Sequence, residues 1–294
     1  MTPSAVPNGA IQRVGIVGCG LMGSGIAQLC AGAGLDVRIA VRTPTAIPAR
    51  RRELCAAFDR AVRKRHMTGA ARDRALERID FTTELTDLAD RQLVIESITE
   101  QKSAKAELFA ALDKILQDPE AVLASNTSSV SITSLAAVTD RPSHVLGMHF
   151  FSPAPVIPLV ELTPSLHTEP AVTAHAETFV TTVLGKKALH TPDRAGFLVN
   201  SLLVPYLVSA IRMLESGQAS AAVIDQAMVH GCSHPVGPLK LADLIGLDII
   251  ASVATALYEE FKQPLYAPPP LLVRMVEGGL LGKKTGRGFH VYEQ

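Results

Sequence analysis

The sequence predicts an α/β chain: a doubly wound, mostly parallel sheet followed by an all-helical C-terminal segment. Three observations carry this. A short apolar run, Arg13-Val-Gly-Ile-Val17, leads through a glycine turn and a helical stretch to a second run at Asp36–Val41. A β-α-β unit of about 30 residues favours parallel pairing. Strand and helix patterns then alternate to about Thr191, and beyond it only helical spacing remains. The shift near Asp193-Arg194 divides the chain into an α/β domain over residues 1–194 and a helical one over 195–294.

The elements follow in order. Met22–Ala33 has small and apolar residues at helical spacing. Thr45 to about His66 reads as a long arginine-rich helix, and Ala70–Arg78 as a shorter one. Phe81-Thr82 and Leu93–Ser97 read as strands, Lys102–Leu116 as an amphipathic helix, and Ala121–Ser125 as a buried strand. Ser131–Val138 is a short helix, Val145–Phe150 and Leu159–Leu162 are strands, and Pro170–Leu184 is a helix. Gly196–Gly217 then reads as one long helix with a kink expected at Pro205. Ala219–His230, Lys240–Phe261 and Pro270–Glu277 complete the helical part.

Composition narrows the function classes. Apolar residues make up 47% of the 294 and charged ones 19%, enough for a core and too little charge for wholesale disorder. With 28 basic and 28 acidic side chains, net charge gives no case for nucleic acid or a membrane surface. No run of about 18 apolar residues is free of charge or proline, so no membrane span is expected. Met1–Ala10 reads as a frayed tail, not a targeting peptide. Cys19, Cys30, Cys55 and Cys232 lack metal-ligand spacing, so no metal site is expected, and a reduced cytoplasm suits them.

The strand-to-helix turn Gly18-Cys19-Gly20-Leu21-Met22-Gly23 carries the first functional signal. The first glycine permits a tight turn, the second lets backbone approach a pyrophosphate, and the third lets the helix pack close to the sheet. Free N–H groups at the helix start, around Leu21 and Met22, suit the phosphates. This predicts a Rossmann-type dinucleotide site. An NAD site usually has Asp or Glu at the end of the second strand. Here Val41 and Arg42 stand there. An arginine binds a 2′-phosphate that a carboxylate would repel, so Arg42 favours NADP; a merely solvated Arg42 leaves NAD open.

Three polar segments exceed what packing needs. Ser125-Asn126-Thr127-Ser128-Ser129 follows a strand, where open parallel sheets hold ligands. The same serines would serve equally as a helix N-cap. His149 ends an apolar strand, with Glu161 the nearest acid downstream. That pairing is what a general base and its orienting partner need, although a lone buried histidine is more often structural. Asn200 is a polar residue inside Phe197–Leu203 and must find a partner if buried.

Seven blocks in order then resemble the 3-hydroxyacyl-CoA dehydrogenases, over about Val14 to Tyr292. They are GCGLMGSGIAQ (18–28), ASNTSS (124–129), GMHFFSPAP (147–155), LVEL (159–162), GFLVN (196–200), LADLIGLD (241–248) and GKKTGRGFHVY (282–292). The resemblance implies His149 as the base that takes the 3-hydroxyl proton, with Glu161 orienting it. Ser128 and Asn200 would hold the substrate oxygen. Gly18, Gly20, Leu21, Met22, Gly23, Val41, Arg42, Glu100, Lys105, Asn126, Ser128, Ser152 and Lys284 would line NAD(P). It implies a short-chain (S)-3-hydroxyacyl-CoA substrate such as 3-hydroxybutyryl-CoA, and a homodimer through the helical domain. Ser152 stands where the family usually has asparagine, Ser201 where it often has arginine, and Lys64-Arg65-His66 where it has KGK. These departures, with Arg42, keep an acyl-carrier-protein thioester as the alternative substrate; a non-catalytic dinucleotide binder is the rival from another class.

Overall fold

The computed structural model describes residues 11–293; the expected tail at Met1–Ala10 lies outside them. The chain divides into two compact units between Asp193 and Arg194.

The first unit is built on eight strands: β1 (Arg13–Val17), β2 (Asp36–Ala40), β3 (Ile79–Thr82), β4 (Leu93–Glu96), β5 (Val122–Ser125), β6 (Val145–Phe150), β7 (Leu159–Pro164) and β8 (Lys187–His190). Their order across the sheet is β3-β2-β1-β4-β5-β6-β7-β8, parallel throughout except for β6–β7. Every residue of β4, β5 and β6 is buried. That is why these strands read as continuous apolar runs: both faces of a parallel sheet are covered. The covering helices are α1 (Leu21–Gly32), α2 (Ile47–Arg63), α3 (Gly69–Glu77), α4 (Lys102–Ile115), α5 (Ile132–Ala136) and α6 (Pro170–Thr178). From β1 the chain builds outward on one side through β2 and β3, then returns to β4 on the other. The crevice at the carboxyl ends of β1 and β4 is therefore a topological switch point, where open α/β sheets bind ligands.

Three expectations needed revision here. The edge strand β8 carried no sequence signal, because its four residues, Lys187–His190, are half-exposed and polar at both ends. The helix expected over Pro170–Leu184 changes to a wide π turn at Phe179–Val183, which brings the adjacent Phe179 and Val180 both into the core. The long arginine-rich helix opens with a separate tight turn at Pro44–Ala46.

The second unit holds α7 (Val199–Glu215), α8 (Ala221–Cys232), α9 (Pro238–Ile245), α10 (Leu247–Phe261) and α11 (Pro270–Glu277) around a core including Leu207, Ile211, Leu239, Leu247, Leu257 and Leu272. α7 begins later than its apolar run, because Gly196 and Phe197 take positive φ (73° and 46°), and it continues through Pro205. The single helix expected over Lys240–Phe261 is two. Gly246, at φ 109°, breaks it, and the axes of α9 and α10 meet at 97°. The apolar periodicity runs unbroken through the glycine, so the pattern concealed the corner. No single described helix is long and apolar enough to cross a membrane.

The closing glycine-rich motif wraps Asp243, which is 1% exposed. Its carboxylate accepts from Phe289 N and His290 N, both at 2.9 Å, and from the Tyr292 hydroxyl at 3.1 Å. Burial and the adjacent Asp243 push the Tyr292 phenol well up. His290 Nε2 meets Asp225 at 2.8 Å, and Asp225 also accepts from Leu239 N and Lys240 N at the start of α9. The LADLIGLD and GKKTGRGFHVY blocks thus meet because one carboxylate organises the other's backbone.

Candidate active site

The glycine turn occupies the switch point. Gly18 has φ +96°, and a Cβ there would lie 2.5 Å from the carbonyl oxygen of Ser97, just past β4. A Cβ on Gly23 would lie 2.0 Å from the Gly18 carbonyl oxygen, so α1 can rest on the turn only through glycine. A Cβ on Gly20 would meet nothing within 4 Å. Two glycines are thus required by the protein's own packing, while the middle one opens onto free space. Leu21 beside it is 76% exposed at the start of α1, and Met22 is half-buried against the core. A helix start facing an uncovered glycine backbone fits a pyrophosphate. Burial pushes the Cys19 thiol up to about 11, with Arg50 of α2 opposing, so this cysteine is a protonated packing group.

At the end of β2, Val41 is half-buried and its N–H donates to Thr82 O. Arg42 is exposed and engages no carboxylate among the described residues. Along α2, Arg50 pairs with Glu53, and Arg51 lies over the Phe81 ring, 5.2 Å from its centroid.

The carboxyl ends of β4 and β5 hold a buried ionic network. Glu96, the last residue of β4, is fully buried. Its Oε1 accepts from Lys105 Nζ at 2.6 Å and from Ile98 N at 2.7 Å, and its Oε2 accepts from Ser125 Oγ at 2.6 Å. Lys105, 1% exposed, also reaches Glu100 Oε2 at 3.1 Å. The second oxygen of Glu100 accepts from Thr127 Oγ1, from Ser128 N at 2.9 Å, and from Ser129 N and Oγ at 3.1 and 2.9 Å. Burial alone would raise the Glu100 carboxyl; the Lys105 charge and these donors outweigh it and hold it below the usual range. Glu96 escaped the sequence reading. The signal was present: a glutamate ending the apolar run Leu93-Val-Ile-Glu96 is a buried charge and requires a cation.

Asn126 Oδ1 accepts from Phe150 N at 2.8 Å, joining the loop after β5 to the end of β6. There His149 and Glu161 are directly opposite in the antiparallel β6–β7 ladder. His149 Nδ1 lies 2.8 Å from Glu161 Oε2, with the histidine 6% and the glutamate 0% exposed. The Phe151 ring lies 4.6 Å from the imidazole. A carboxylate at Nδ1 selects the tautomer with the proton on Nδ1, which leaves Nε2 as a proton acceptor. Ser152 is exposed on the loop that follows. This loop rests on α1: a Cβ on Gly25 would meet Ala154 Cβ at 3.2 Å and Pro155 Cδ at 3.3 Å.

The first unit therefore brings the turn, Glu100, Lys105, Asn126, Ser128, His149 and Glu161 to one end of its sheet. Val41, Arg42 and Ser152 also belong to the first unit, whereas Asn200 and Lys284 belong to the second. Asn200 is half-buried in the first turn of α7. Lys284 Nζ lies 2.5 and 2.6 Å from the two carboxylate oxygens of Asp248 at the start of α10, a partner the sequence reading did not anticipate. No cluster of potential metal ligands occurs among the described residues.

Comparison with known proteins gives consistent matches. Residues 13–194 match the 3-hydroxyacyl-CoA dehydrogenase NAD binding domain, and residues 196–292 match the C-terminal domain of the same family. A 3-hydroxybutyryl-CoA dehydrogenase of Mycobacterium tuberculosis H37Rv is 54% identical, over 96% of this chain and 99% of its own. One from Bradyrhizobium diazoefficiens is 42% identical, over 96% of both chains. The crystal structure of (S)-3-hydroxybutyryl-CoA dehydrogenase from Ralstonia eutropha superposes with a TM-score of 0.89 at 43% identity, covering 97% of this chain and all of the other.

Proposed function

Since this chain belongs to the 3-hydroxyacyl-CoA dehydrogenase family, we propose that it interconverts short-chain (S)-3-hydroxyacyl-CoA and 3-oxoacyl-CoA with a nicotinamide dinucleotide. The observation that carries this is the buried His149–Glu161 pair at 2.8 Å, in the same unit as an uncovered dinucleotide turn. A nicotinamide held on that turn supplies the hydride donor or acceptor. The chain's own residues do the rest. Glu161 fixes the imidazole through Nδ1, so Nε2 takes the proton from the 3-hydroxyl in oxidation and returns it in reduction. Glu161 also stabilises the imidazolium that forms, at no cost in reorganisation. Within the first unit, Ser128 is assigned to hold the substrate oxygen, which sets C3 in reach of the cofactor.

The cofactor reading is NADP over NAD. It is supported by exposed Arg42 and by the absence of a carboxylate at Val41, on the strand that borders the turn. The substrate carrier is coenzyme A. A carrier-protein thioester is the second reading, favoured by the exposed basic residues Arg52, Arg60, Arg63, Lys64 and Arg65 along and after α2. We further read the protein as a homodimer through its second unit, whose surface exposes Leu202, Val223, Leu244 and Ile249.

One kinetic matrix tests these readings: acetoacetyl-CoA and acetoacetyl carrier protein, each with NADH and NADPH, followed by absorbance. The expected outcome is turnover of the CoA thioester, with kcat/KM higher for NADPH. No turnover with either cofactor refutes the proposed reaction. Higher kcat/KM with NADH refutes the reading of Arg42, and higher kcat/KM on the carrier protein selects the second substrate.

A further inference from the structure

His149 and Glu161 face each other across a hairpin whose connection cannot set their register by itself. Hairpin loops of two residues fix a register through the turn they form. Here residues 151–158 separate β6 from β7, and three of them are prolines: Pro153, Pro155 and Pro158. Proline offers no N–H, and the N–H groups of Val156 and Ile157 both go to Pro153 O, at 2.9 and 3.0 Å. The rest of the loop is held from outside. Ala154 and Pro155 rest on α1. Its last two carbonyls are taken by consecutive lysines at the entry to the edge strand β8. Lys186 Nζ donates to Ile157 O at 2.6 Å, and Lys187 N donates to Pro158 O at 2.7 Å. Gly185, at φ 64°, turns the chain out of the preceding π turn, and Lys186 N then donates back to Val180 O. The side chain of Lys187 is exposed, whereas Lys186 is 8% exposed and forms no ion pair among the described residues. Burial lowers the pKa of its ammonium. A cation withdrawn from water onto one carbonyl is costly.

We propose that Lys186 is a positioning residue for the proton transfer: its buried ammonium clamps the end of the 151–158 loop and so holds Glu161 in register with His149. The inference rests on the dehydrogenase reading for the role of His149. Ladder hydrogen bonds are much alike in every register, and a slip of one residue would turn Glu161 to the opposite face of the sheet. The clamp is different in kind, because it ties one side chain to one carbonyl. It lies two residues before the start of β7, and Glu161 is the third residue of that strand. Smaller displacements matter as well: misplacing a reacting group by about 1 Å can cost about 100-fold. The lysine therefore contributes geometry at the expense of stability, and the two effects can be separated.

The test uses the full-length protein and the variants Lys186→Met and Lys186→Arg. Methionine keeps most of the apolar stem and removes the donor, while arginine restores a cation with N–H groups. Amide hydrogen exchange is followed over residues 151–160, the denaturation midpoint is measured by calorimetry, and kcat and KM are measured on acetoacetyl-CoA. Exchange and the midpoint need no thioester, so both report on the clamp whether or not acetoacetyl-CoA is a substrate. Lys186→Met is expected to speed exchange in this segment by about tenfold. Its midpoint should be unchanged or higher, because a buried charge has been replaced by an apolar group. Its kcat should fall between about tenfold and 100-fold, with KM within about threefold. Lys186→Arg should recover part of the lost kcat. Unchanged exchange overturns the proposal. So does a midpoint lowered alike in both variants with no recovery of kcat by arginine, which would make Lys186 a packing residue. A raised KM with kcat unchanged also overturns it, because Lys186 would then be a substrate contact. If Lys186→Met does not fold, Lys186→Gln, uncharged and polar, carries the same comparison.

Discussion

At the scale of single residues, the His149–Glu161 pair makes the sharpest statement. A histidine that is 6% exposed beside a fully buried glutamate is an expensive arrangement unless both groups are used. Replacing His149 with alanine removes the proposed proton acceptor while leaving the glycine turn untouched. Turnover of acetoacetyl-CoA should fall by about 100-fold or more, with dinucleotide affinity near that of the unaltered protein. Stopped-flow or steady-state absorbance alongside fluorescence titration measures the two separately, and retained turnover would reassign the base. Much of this was legible beforehand. His149 and Glu161 stand in blocks where a polar side chain interrupts apolar strands, and such interruptions are visible in any sequence. Glu96 offered the same kind of signal, a carboxylate closing an apolar strand, but its cation, Lys105, lies nine residues on in the next helix. Asp248 as partner of Lys284 was also beyond reach, because the two are distant in sequence and nothing local links them.

At the scale of elements, periodicity located most strands and helices, and failed where a corner or an edge intervened. β8 is too short and too polar to stand out, and the 97° corner at Gly246 sits inside an unbroken apolar pattern. The C-terminal turn shows what holds such irregular pieces. Asp243, inside α9, supplies the acceptors for Phe289 N, His290 N and the Tyr292 hydroxyl. Asp243→Ala would strand these donors, at about 1–3 kcal/mol for each that stays buried. A drop in the denaturation midpoint of several degrees is expected by calorimetry, with faster proteolysis of the last residues; an unchanged midpoint would show that water replaces the carboxylate freely.

At the scale of the whole molecule, the two-part division follows from sheet and helix chemistry. Apolar strand runs and helical stretches seek different layers, so the chain forms one core around the sheet and another among α7–α11. The exposed leucine, valine and isoleucine side chains of the second unit are more than a lone helical core needs to leave in water, and they motivate the proposed homodimer. Light scattering coupled to size exclusion should return twice the 31.2 kDa chain mass. Leu202→Glu, at a position 71% exposed, should shift the distribution toward the single chain. A monomeric unaltered protein at micromolar concentration would remove the dimer from the reading.

The three glycines of the dinucleotide turn are under two different kinds of selection. Gly18 and Gly23 cannot gain a side chain without colliding with Ser97 and with the turn itself, so quality control in the cell polices them through abundance. Gly20 has open space where a side chain would go. A larger residue there costs the folded chain little, so the altered protein would accumulate normally while its ligand is kept out. The middle glycine is therefore maintained only by the fitness value of the reaction. Were that value lost, this is where the turn would begin to drift, in a lineage whose protein still looked intact.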